Sequence, residues 1–257
     1  MADRKARILD VARRNGRVSV DALADVLGVS AHTVRRDINS LCSELKLRRL
    51  HGGAEFVQPQ ANIPYPRRAV LNFEAKMAIA RAVADIVPDG ATVFISVGTT
   101  PALVAGALAH RRGLTVVTNN LNAAMALSDA EDVRIILAGG ELRLPDRDVL
   151  GPDVIATFTA YRADFGIYGV GGIDRDGSLL DFHESEVRVR ESIHARSRAT
   201  ILVADHSKFG RIAAAVGGHL AHPDHVVIDR RPGPPYADVL DPMGARVTVA
   251  MEQDRDV

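Results

Sequence analysis

The stretch "VSVDALADVLGVSAHTVRRDINSL", residues 18–41, contains two short amphipathic helices with a glycine between them. Ser19 and Ser30 are typical N-cap residues, and Gly28 is typical of a helix end. The apolar positions of the two helices are Leu23, Ala24 and Leu27 in the first, and Val34, Ile38 and Leu41 in the second. Two helices joined by so tight a turn predict a helix-turn-helix.

The outward face of the second helix is polar and basic, because its apolar stripe is turned inward. The side chains left on that face or at its start are Ser30, His32, Thr33, Arg35, Arg36 and Asn39. Guanidinium, amide and hydroxyl groups of this kind contact base edges and phosphates in a DNA major groove. We expect Asp37 to orient an arginine. The helix is therefore predicted to read DNA, and a three-helix protein-interaction module is the alternative.

The segment "LKLRRLHGGAEFV", residues 45–57, follows the second helix and has Leu45, Leu47 and Leu50 as its apolar positions. Gly52 and Gly53 stand where a tight hairpin needs positive φ. The segment is therefore predicted to be a two-stranded wing. Such a wing places Arg48, Arg49 and His51 along the phosphate backbone, where they fix the register on DNA without reading its sequence.

The charge of the chain is unevenly distributed although its net charge is zero. Residues 1–57 carry 11 Lys and Arg against 7 Asp and Glu, and residues 58–257 carry 21 against 25. A basic amino-terminal region favours a polyanionic partner such as double-stranded DNA. Cys42 has no second cysteine to pair with, and no apolar run approaches the ~20 residues that span a bilayer. We expect a cytoplasmic protein without a membrane contact.

The remainder of the chain alternates strands with helices after a proline-containing segment. The segments with the apolar pattern of buried strands are "TVFIS", "LTVVT", "VRIILAGG", "ADFGIYGV", "ATILVAD", "HVVID" and "ARVTVA". This alternation predicts an α/β domain built on a mainly parallel sheet with helices on both faces. We therefore expect a DNA-binding domain over residues 1–57, a linker over 58–72 and an effector domain over 73–257.

The residues that follow these strands suit the binding of a small anion. In "VGTTP", Gly98 allows a close backbone approach, Thr99 and Thr100 offer hydroxyls, and Pro101 is suited to the first position of a helix. Other strands end in an asparagine pair, in glycines and in "DHSK". Because ligands of parallel sheets bind at the carboxyl ends of the strands, these loops predict a site for a small phosphorylated polyol.

Several of these motifs occur together in a known family. "VSAHTVRRDINSL", "HGGA", "VGTTP", "VTNNLN", "IILAGGELR" and "ADHSKFGR" resemble the DeoR family of bacterial transcriptional repressors. The resemblance implies a winged helix followed by a sensor domain similar in fold to ribose-5-phosphate isomerase. It also implies a homo-oligomer that leaves its DNA operator when a sugar or polyol phosphate binds. "GIDRDGSLLDF" and "DHSKFGR" favour glycerol 3-phosphate as that effector.

The resemblance also implies a set of ligand-binding positions. They are Gly98, Thr99 and Thr100 for the phosphate, Asn119 and Gly140 nearby, Glu186 for a hydroxyl and Lys208 for the anion. The chain departs from the family at Ser96, where an aspartate commonly precedes "GTT".

Lys208 is interpreted as an anion clamp and not as a catalyst. Isomerisation needs a carboxylate base, and the first acid in the loop after "DFGIYG" is Asp174, which is predicted to lie in a turn. His183, Glu184 and Glu186 are too poorly placed relative to His194 to predict a metal site. We expect no catalytic residue, cofactor or metal. The alternatives are a repressor that senses another sugar phosphate, and a sugar-phosphate isomerase with an appended interaction module.

Overall fold

The computed structural model describes residues 2–43, 46–56 and 62–251. The chain divides into two compact units, Met1–Ala61 and Asn62–Val257. Within the described part of the chain, none of the helices combines the length and apolar character needed to cross a bilayer.

The first unit is a small winged helix. Its elements are α1 (Ala2–Asn15), β1 (Arg17–Ser19), α2 (Val20–Leu27), α3 (Ala31–Ser43), β2 (Leu47–Leu50) and β3 (Gly53–Phe56). The buried core comes from every helix and includes Ile8 of α1, Leu23 of α2, and Val34 and Ile38 of α3. These are the positions at which the helical period places apolar residues on one side, so the helix-turn-helix prediction is confirmed.

The ends of the two helices in the helix-turn-helix are capped by the residues that the sequence indicated. Ser19 caps α2 by accepting a hydrogen bond from the amide of Ala22, and Gly28 ends α2 with φ of 65°. The hydroxyl of Ser30 accepts from the amide of Thr33 at 3.2 Å and so caps α3. This fixes the path of the chain between the two helices.

The wing has three strands and not two, since β1 pairs with β3 in the antiparallel order β1-β3-β2. Gly52 has the positive φ expected of the hairpin, 75°. Gly53 is needed for a different reason, because a Cβ there would lie 2.0 Å from the carbonyl oxygen of Val18. The close contact with β1 thus requires glycine at this position.

The second unit is centred on a seven-stranded sheet in which all the pairings are parallel, in the order β15-β14-β12-β9-β4-β5-β6. Its strands are β4 (Thr92–Ile95), β5 (Leu114–Thr118), β6 (Val133–Leu137), β9 (Ala163–Tyr168), β12 (Ser197–Ala204), β14 (His225–Ile228) and β15 (Val247–Val249). Each overlaps a segment for which a strand was predicted, and β12 begins two residues earlier than expected. The expected mainly parallel sheet is confirmed.

Helices cover both faces of this sheet and form two apolar layers. They are α5 (Phe73–Ile86), α6 (Thr99–Ala107), α7 (Leu121–Ala126), α8 (Pro152–Ala160), α9 (Glu184–Arg196) and α10 (Tyr236–Leu240), while α4 (Tyr65–Val70) contacts α6. Ile79 and Val104 lie in one layer, and Phe158 and Ile193 lie in the other. The loops at the carboxyl ends of β4, β9 and β12 meet at one edge.

Two smaller antiparallel sheets were not predicted. One has the order β10-β11-β13 and the other pairs β7 with β8. Their strands are β7 (Leu142–Arg143), β8 (Asp148–Val149), β10 (Gly172–Ile173), β11 (Ser178–Asp181) and β13 (Ala215–His219). The strands of two to five residues are too short to show a period, and they depend on tertiary contacts.

The segment interpreted as a linker, residues 58–72, contains structure. Its residues 62–72 belong to the second unit and include α4, whereas residues 58–61 lie outside the described residues. Tyr65 is buried, and its amide donates to the carbonyl of Pro145 at 3.1 Å. The guanidinium carbons of Arg68 and Arg147 lie 5.8 and 5.9 Å from the centre of the Tyr65 ring, contacts that the proline-containing sequence did not indicate.

Candidate functional site

The polar face of α3 is open to solvent. His32, Arg35, Arg36 and Asn39 are exposed, while the hydroxyls of Ser30 and Thr33 lie 3.0 Å apart at the start of the helix. This arrangement leaves long guanidinium side chains free to reach base edges.

Asp37 of α3 does not orient either neighbouring arginine. Its side chain is buried and accepts a hydrogen bond from Nε of Arg4 in α1 at 2.5 Å. The ion pair ties α3 to α1. As a result, Asp37 is not held against Arg35 or Arg36.

The wing arginines differ in their surroundings. Arg48 forms an ion pair with Glu55 of the facing strand, and Glu55 also accepts from Arg17 at 3.1 Å. Arg49 and His51 are exposed. Because Glu55 already compensates part of the charge of Arg48, we expect Arg49 to attract a DNA phosphate more strongly than Arg48 does.

In the second unit a cleft lies at the start of α6. Gly98 is the N-cap with φ of 117°, and Thr99 and Thr100 are the first two residues of the helix. Pro101 is the third helical residue and not the first. The amides of a first helical turn lack intrahelical acceptors, and the two threonine hydroxyls make no hydrogen bond within residues 62–251. Amides and hydroxyls together suit an anion.

Lys208 faces this helix start from the loop after β12. Its ammonium makes no hydrogen bond or ion pair to the described residues. Burial and the neighbouring guanidinium of Arg211 hold the pKa of Lys208 well below its usual range. An ammonium so poorly compensated gains from a bound anion, because the anion offsets both effects.

Three further side chains of the cleft region were not predicted from the sequence. Asn62 and Arg68 line the cleft, and Arg211 lies next to them. Arg211 donates to the carbonyl of Gly171 at 3.2 Å and stacks on Phe182 at 4.7 Å. Burial and the charge of Arg68 lower the pKa of Arg211 to about 10. The cleft is therefore more cationic than Lys208 alone suggested.

Glu186 lines the cleft, but both of its carboxylate oxygens are already used. One accepts from Arg143 at 2.9 Å, and the other accepts from the amides of Phe182 and His183 at 3.1 and 3.2 Å. These bonds close the start of α9. Glu186 shapes the rim of the cleft, which leaves it less free for a ligand hydroxyl than the resemblance implies.

An acid that the sequence analysis missed also reaches the cleft. Asp181 of β11 lines the cleft. Asp174, the acid considered in the sequence, lies in a turn as predicted. Burial raises the pKa of Asp181. One of its oxygens accepts from the amide of Gly171 at 2.9 Å, and the other accepts from Arg190 at 2.9 Å. Its carboxylate is therefore held by the protein.

Asn119 and Gly140 lie together, but away from the lining of this cleft. The side chain of Asn119 is buried and donates to the carbonyl of Val149 at 2.8 Å. A Cβ at Gly140 would lie 2.7 Å from the side chain of Val149. The neighbouring Asn120 is closer to the anion loop, since its amide donates to the carbonyls of Ser96 and Gly98 at 3.1 and 2.9 Å.

The open volume of the cleft is small. Its water-accessible volume is about 40 Å³, which is enough for a few water molecules. A phosphorylated polyol is larger, so its binding requires the side chains or loops that line the cleft to move apart. Among the described residues, no three His, Cys, Asp or Glu side chains are grouped as a metal site requires.

Comparisons with known proteins cover both units. Residues 4–60 match the family described as "DeoR-like helix-turn-helix domain", and residues 71–230 match "DeoR C terminal sensor domain". The chain is 44% identical over 233 residues to the "Glycerol-3-phosphate regulon repressor" of Escherichia coli (strain K12), covering 91% of this chain and 92% of that protein. The protein of the same description from Haemophilus influenzae is 42% identical and covers 87% of both chains.

More distant matches include a regulator and a solved enzyme structure. The "HTH-type transcriptional repressor CsqR" of Escherichia coli (strain K12) is 37% identical over 89% of this chain and 88% of that protein. Ribose 5-phosphate isomerase A from Methanocaldococcus jannaschii aligns with 55% of this chain and 56% of its own, with 15% identity and a TM-score of 0.41. That score is too low to support an argument.

Proposed function

Because the chain belongs to the DeoR family of transcriptional regulators, we propose that it is a DNA-binding repressor released from its operator by a small phosphorylated effector. The observation that carries the effector half of this proposal is the cleft, where the start of α6 and the uncompensated ammonium of Lys208 face one space. The DNA half rests on the exposed basic face of α3.

Glycerol 3-phosphate is the effector that we propose. The relatives from Escherichia coli and Haemophilus influenzae are both described as glycerol-3-phosphate regulon repressors. Thr99, Thr100 and Lys208 bind the phosphate in this proposal, while the polar rim near Glu186 faces the hydroxyls. Another sugar phosphate is the alternative within the same architecture.

Each operator half-site takes one α3, so a palindromic operator requires at least two copies of the chain, with recognition helices about 34 Å apart. We propose a homo-oligomer for this reason. Light scattering coupled to size-exclusion chromatography tests it, and a monomer at the concentration that binds DNA would contradict it.

A second candidate function is isomerisation of a sugar phosphate, favoured by the raised pKa of Asp181 in the cleft. The carboxylates of Asp181 and Glu186 each have both oxygens bonded to the protein. A general base must be free to accept a proton from the substrate. The geometry supports binding better than turnover, and we propose that the chain is not an enzyme.

The experiment is a titration of DNA from the region upstream of the chain's own gene, with and without glycerol 3-phosphate. We expect binding that weakens on addition of glycerol 3-phosphate and stays constant on addition of glycerol. Ribose 5-phosphate and other sugar phosphates distinguish the alternative effectors. Conversion of ribose 5-phosphate to its ketose isomer by the same preparation would instead support the enzyme.

A further inference from the structure

The first residues of the sensor unit, which follow the DNA-binding unit along the chain, form part of the cleft. Residues 62–72, here named the strap, follow the DNA-binding unit directly along the chain and belong to the sensor unit. Asn62 and Arg68 of the strap are among the residues that line the cleft. A segment with this place in the sequence is suited to pass a change in the cleft to the DNA-binding unit.

The strap is held at both ends by carboxylates that lie beside residues of the cleft. At one end, the amide of Asn62 donates to Asp146 at 3.3 Å. At the other end, the side chain of Asn72 donates to Asp205 at 2.9 Å. Asp205 also accepts from Ser207, so it lies in the loop that carries Lys208. Movement of that loop would act directly on the strap.

Arg68 occupies the centre of the strap and has an incomplete set of partners. Its Nη2 is paired with Asp146, and its backbone carbonyl accepts from the ammonium of Lys76 at 2.5 Å. Its Nε is buried and has no hydrogen-bond partner. Nε and Nη2 lie on one edge of the guanidinium, and an arginine can bind phosphate by donating two parallel hydrogen bonds from this edge. One of these two donors is already free.

A two-bonded grip on phosphate requires Nη2 to leave Asp146. The carboxylate of Asp146 would not be left isolated, because Arg143 lies 3.8 Å from its second oxygen. The exchange therefore replaces one anionic partner of Arg68 with another.

The charges near the cleft favour this exchange. Four cationic side chains influence one another there, namely Arg68, Lys76, Lys208 and Arg211. The carboxylates placed among them are Asp146 and Asp205. Among these six side chains the cations exceed the carboxylates by two at full protonation, while the two other carboxylates of the cleft, Glu186 and Asp181, are paired with Arg143 and Arg190. A phosphate monoester, with a charge close to −2 at neutral pH, would offset this excess.

We propose that the strap is the element that couples the cleft to the DNA-binding unit, with Arg68 exchanging Asp146 for the phosphate of the effector. This inference rests on the function proposed above. In the unliganded protein, the pair between Arg68 and Asp146 holds the strap in the arrangement that binds operator. The effector draws Arg68 away, so the fastening of the strap changes and operator affinity falls.

Two substitutions on opposite sides of the ion pair test the exchange. Asp146→Asn removes the competing charge, so we expect effector binding to tighten at least 3-fold and operator binding without effector to weaken. Arg68→Met removes the phosphate ligand, so we expect effector binding to weaken at least 10-fold and operator binding without effector to weaken as well. Opposite changes in effector affinity with parallel changes in operator affinity are the signature of the exchange.

Arg67→Met is the matched control, since Arg67 is the exposed neighbour of Arg68 on the same helix. It should leave both affinities unchanged within 2-fold. Effector binding is measured by calorimetry with glycerol 3-phosphate, and with inorganic phosphate as a probe of the cleft alone. Asn62→Ala is a milder change, because it removes only the hydrogen bond from the strap to Asp146. Like Asp146→Asn, it should weaken operator binding without effector.

The results separate this inference from the proposed function. If wild-type protein releases operator on addition of glycerol 3-phosphate but the Arg68 and Asp146 variants behave like Arg67→Met, the strap is not the coupling element and the repressor stands. Equal weakening of effector binding in both variants would show a loosened cleft and contradict the exchange. If no sugar phosphate releases the wild-type protein, both proposals fail.

Discussion

The surface of α3 and the cleft of the sensor unit are both cationic, but the charges on α3 are exposed to solvent and those of the cleft are partly buried. Arg35 and Arg36 extend into solvent from a helix whose buried side is completed by apolar contacts. Lys208, Arg68 and Arg211 are partly buried, and burial together with the neighbouring cations lowers the pKa of Lys208 and of Arg211. A DNA groove can be met by an open surface, whereas a small phosphate is captured where desolvated cations lack partners.

Loss of the cationic face of α3 should have the largest effect. The double variant Arg35→Ala with Arg36→Ala is expected to weaken operator binding by about 100-fold or more, since each good bidentate base contact contributes ~1 to 3 kcal/mol. Effector affinity should remain at the wild-type value. Fluorescence anisotropy with operator DNA and calorimetry with effector measure the two quantities.

Arg81→Ala is the control for this change, because Arg81 is an exposed arginine on α5 of the sensor unit. It removes the same type of charge without touching α3. Parallel loss of operator and effector binding in the double variant would contradict the separation of the two surfaces.

The next largest effect is expected at Lys208. Lys208→Ala should weaken effector binding by about 10- to 150-fold, as a charge-assisted hydrogen bond contributes ~1.5 to 3 kcal/mol. Operator affinity without effector should be unchanged, so the variant represses but does not respond. Normal release of operator at the wild-type effector concentration would show that the phosphate binds elsewhere.

The wing offers a smaller effect and an internal comparison. Arg49→Ala should weaken binding to all DNA sequences by about 5-fold and reduce the slope of log K against log salt by about 1. Arg48→Ala should do less, because Glu55 already pairs with Arg48. Titrations at several salt concentrations measure both slopes. Equal slopes for the two variants would mean that the pair with Glu55 is broken on DNA.

The smallest effect concerns pH. Burial lowers the pKa of Lys76 to about 8, so its charge is lost as the pH rises through 8, while the phosphate stays dianionic above its second pKa of about 6. Effector affinity should therefore fall by about 3-fold between pH 7 and 9. Calorimetry over this range measures it. Lys76→Gln should reduce the dependence without removing it, because the pKa of Lys208 is lowered as well. Affinity that rises with pH in the wild type would contradict this prediction.

The elements with a regular period could be predicted from the sequence, because their apolar spacing reports which side is buried. The turn at Gly28 and the caps at Ser19 and Ser30 are local features, and each is found where the residue type indicated. The seven parallel strands could be recognised as apolar runs because helices cover both faces of their sheet. Strand β1 has three residues and was missed, since its partner β3 stabilises it from a distance in sequence.

The cleft could be predicted only in part. Gly98, Thr99, Thr100 and Lys208 follow strands directly, so the topology of a parallel sheet brings them together. Arg68 reaches the same place from a segment that has no strand and was interpreted as a linker. Tyr65, which stands two residues before Arg67 and three before Arg68, was the available signal, since an aromatic ring has a large apolar area to bury.

Asp181 and Glu186 show a second limit of sequence reasoning. Both are acids near strand or helix ends, yet their roles depend on Arg190 and Arg143, which approach from other elements. Sequence spacing gives the presence of a carboxylate but not the number of its oxygens that remain free.

Effector bound in the cleft should lower the affinity of α3 for operator, and bound operator should lower the affinity of the cleft for effector. Linkage requires this opposition to be reciprocal, with a coupling factor of ~5 to 150. The most direct test measures the dissociation constant of glycerol 3-phosphate for the free protein and for the protein saturated with operator DNA. The account predicts that operator weakens effector binding by the same factor by which effector weakens operator binding. An identical effector dissociation constant in both states would contradict it.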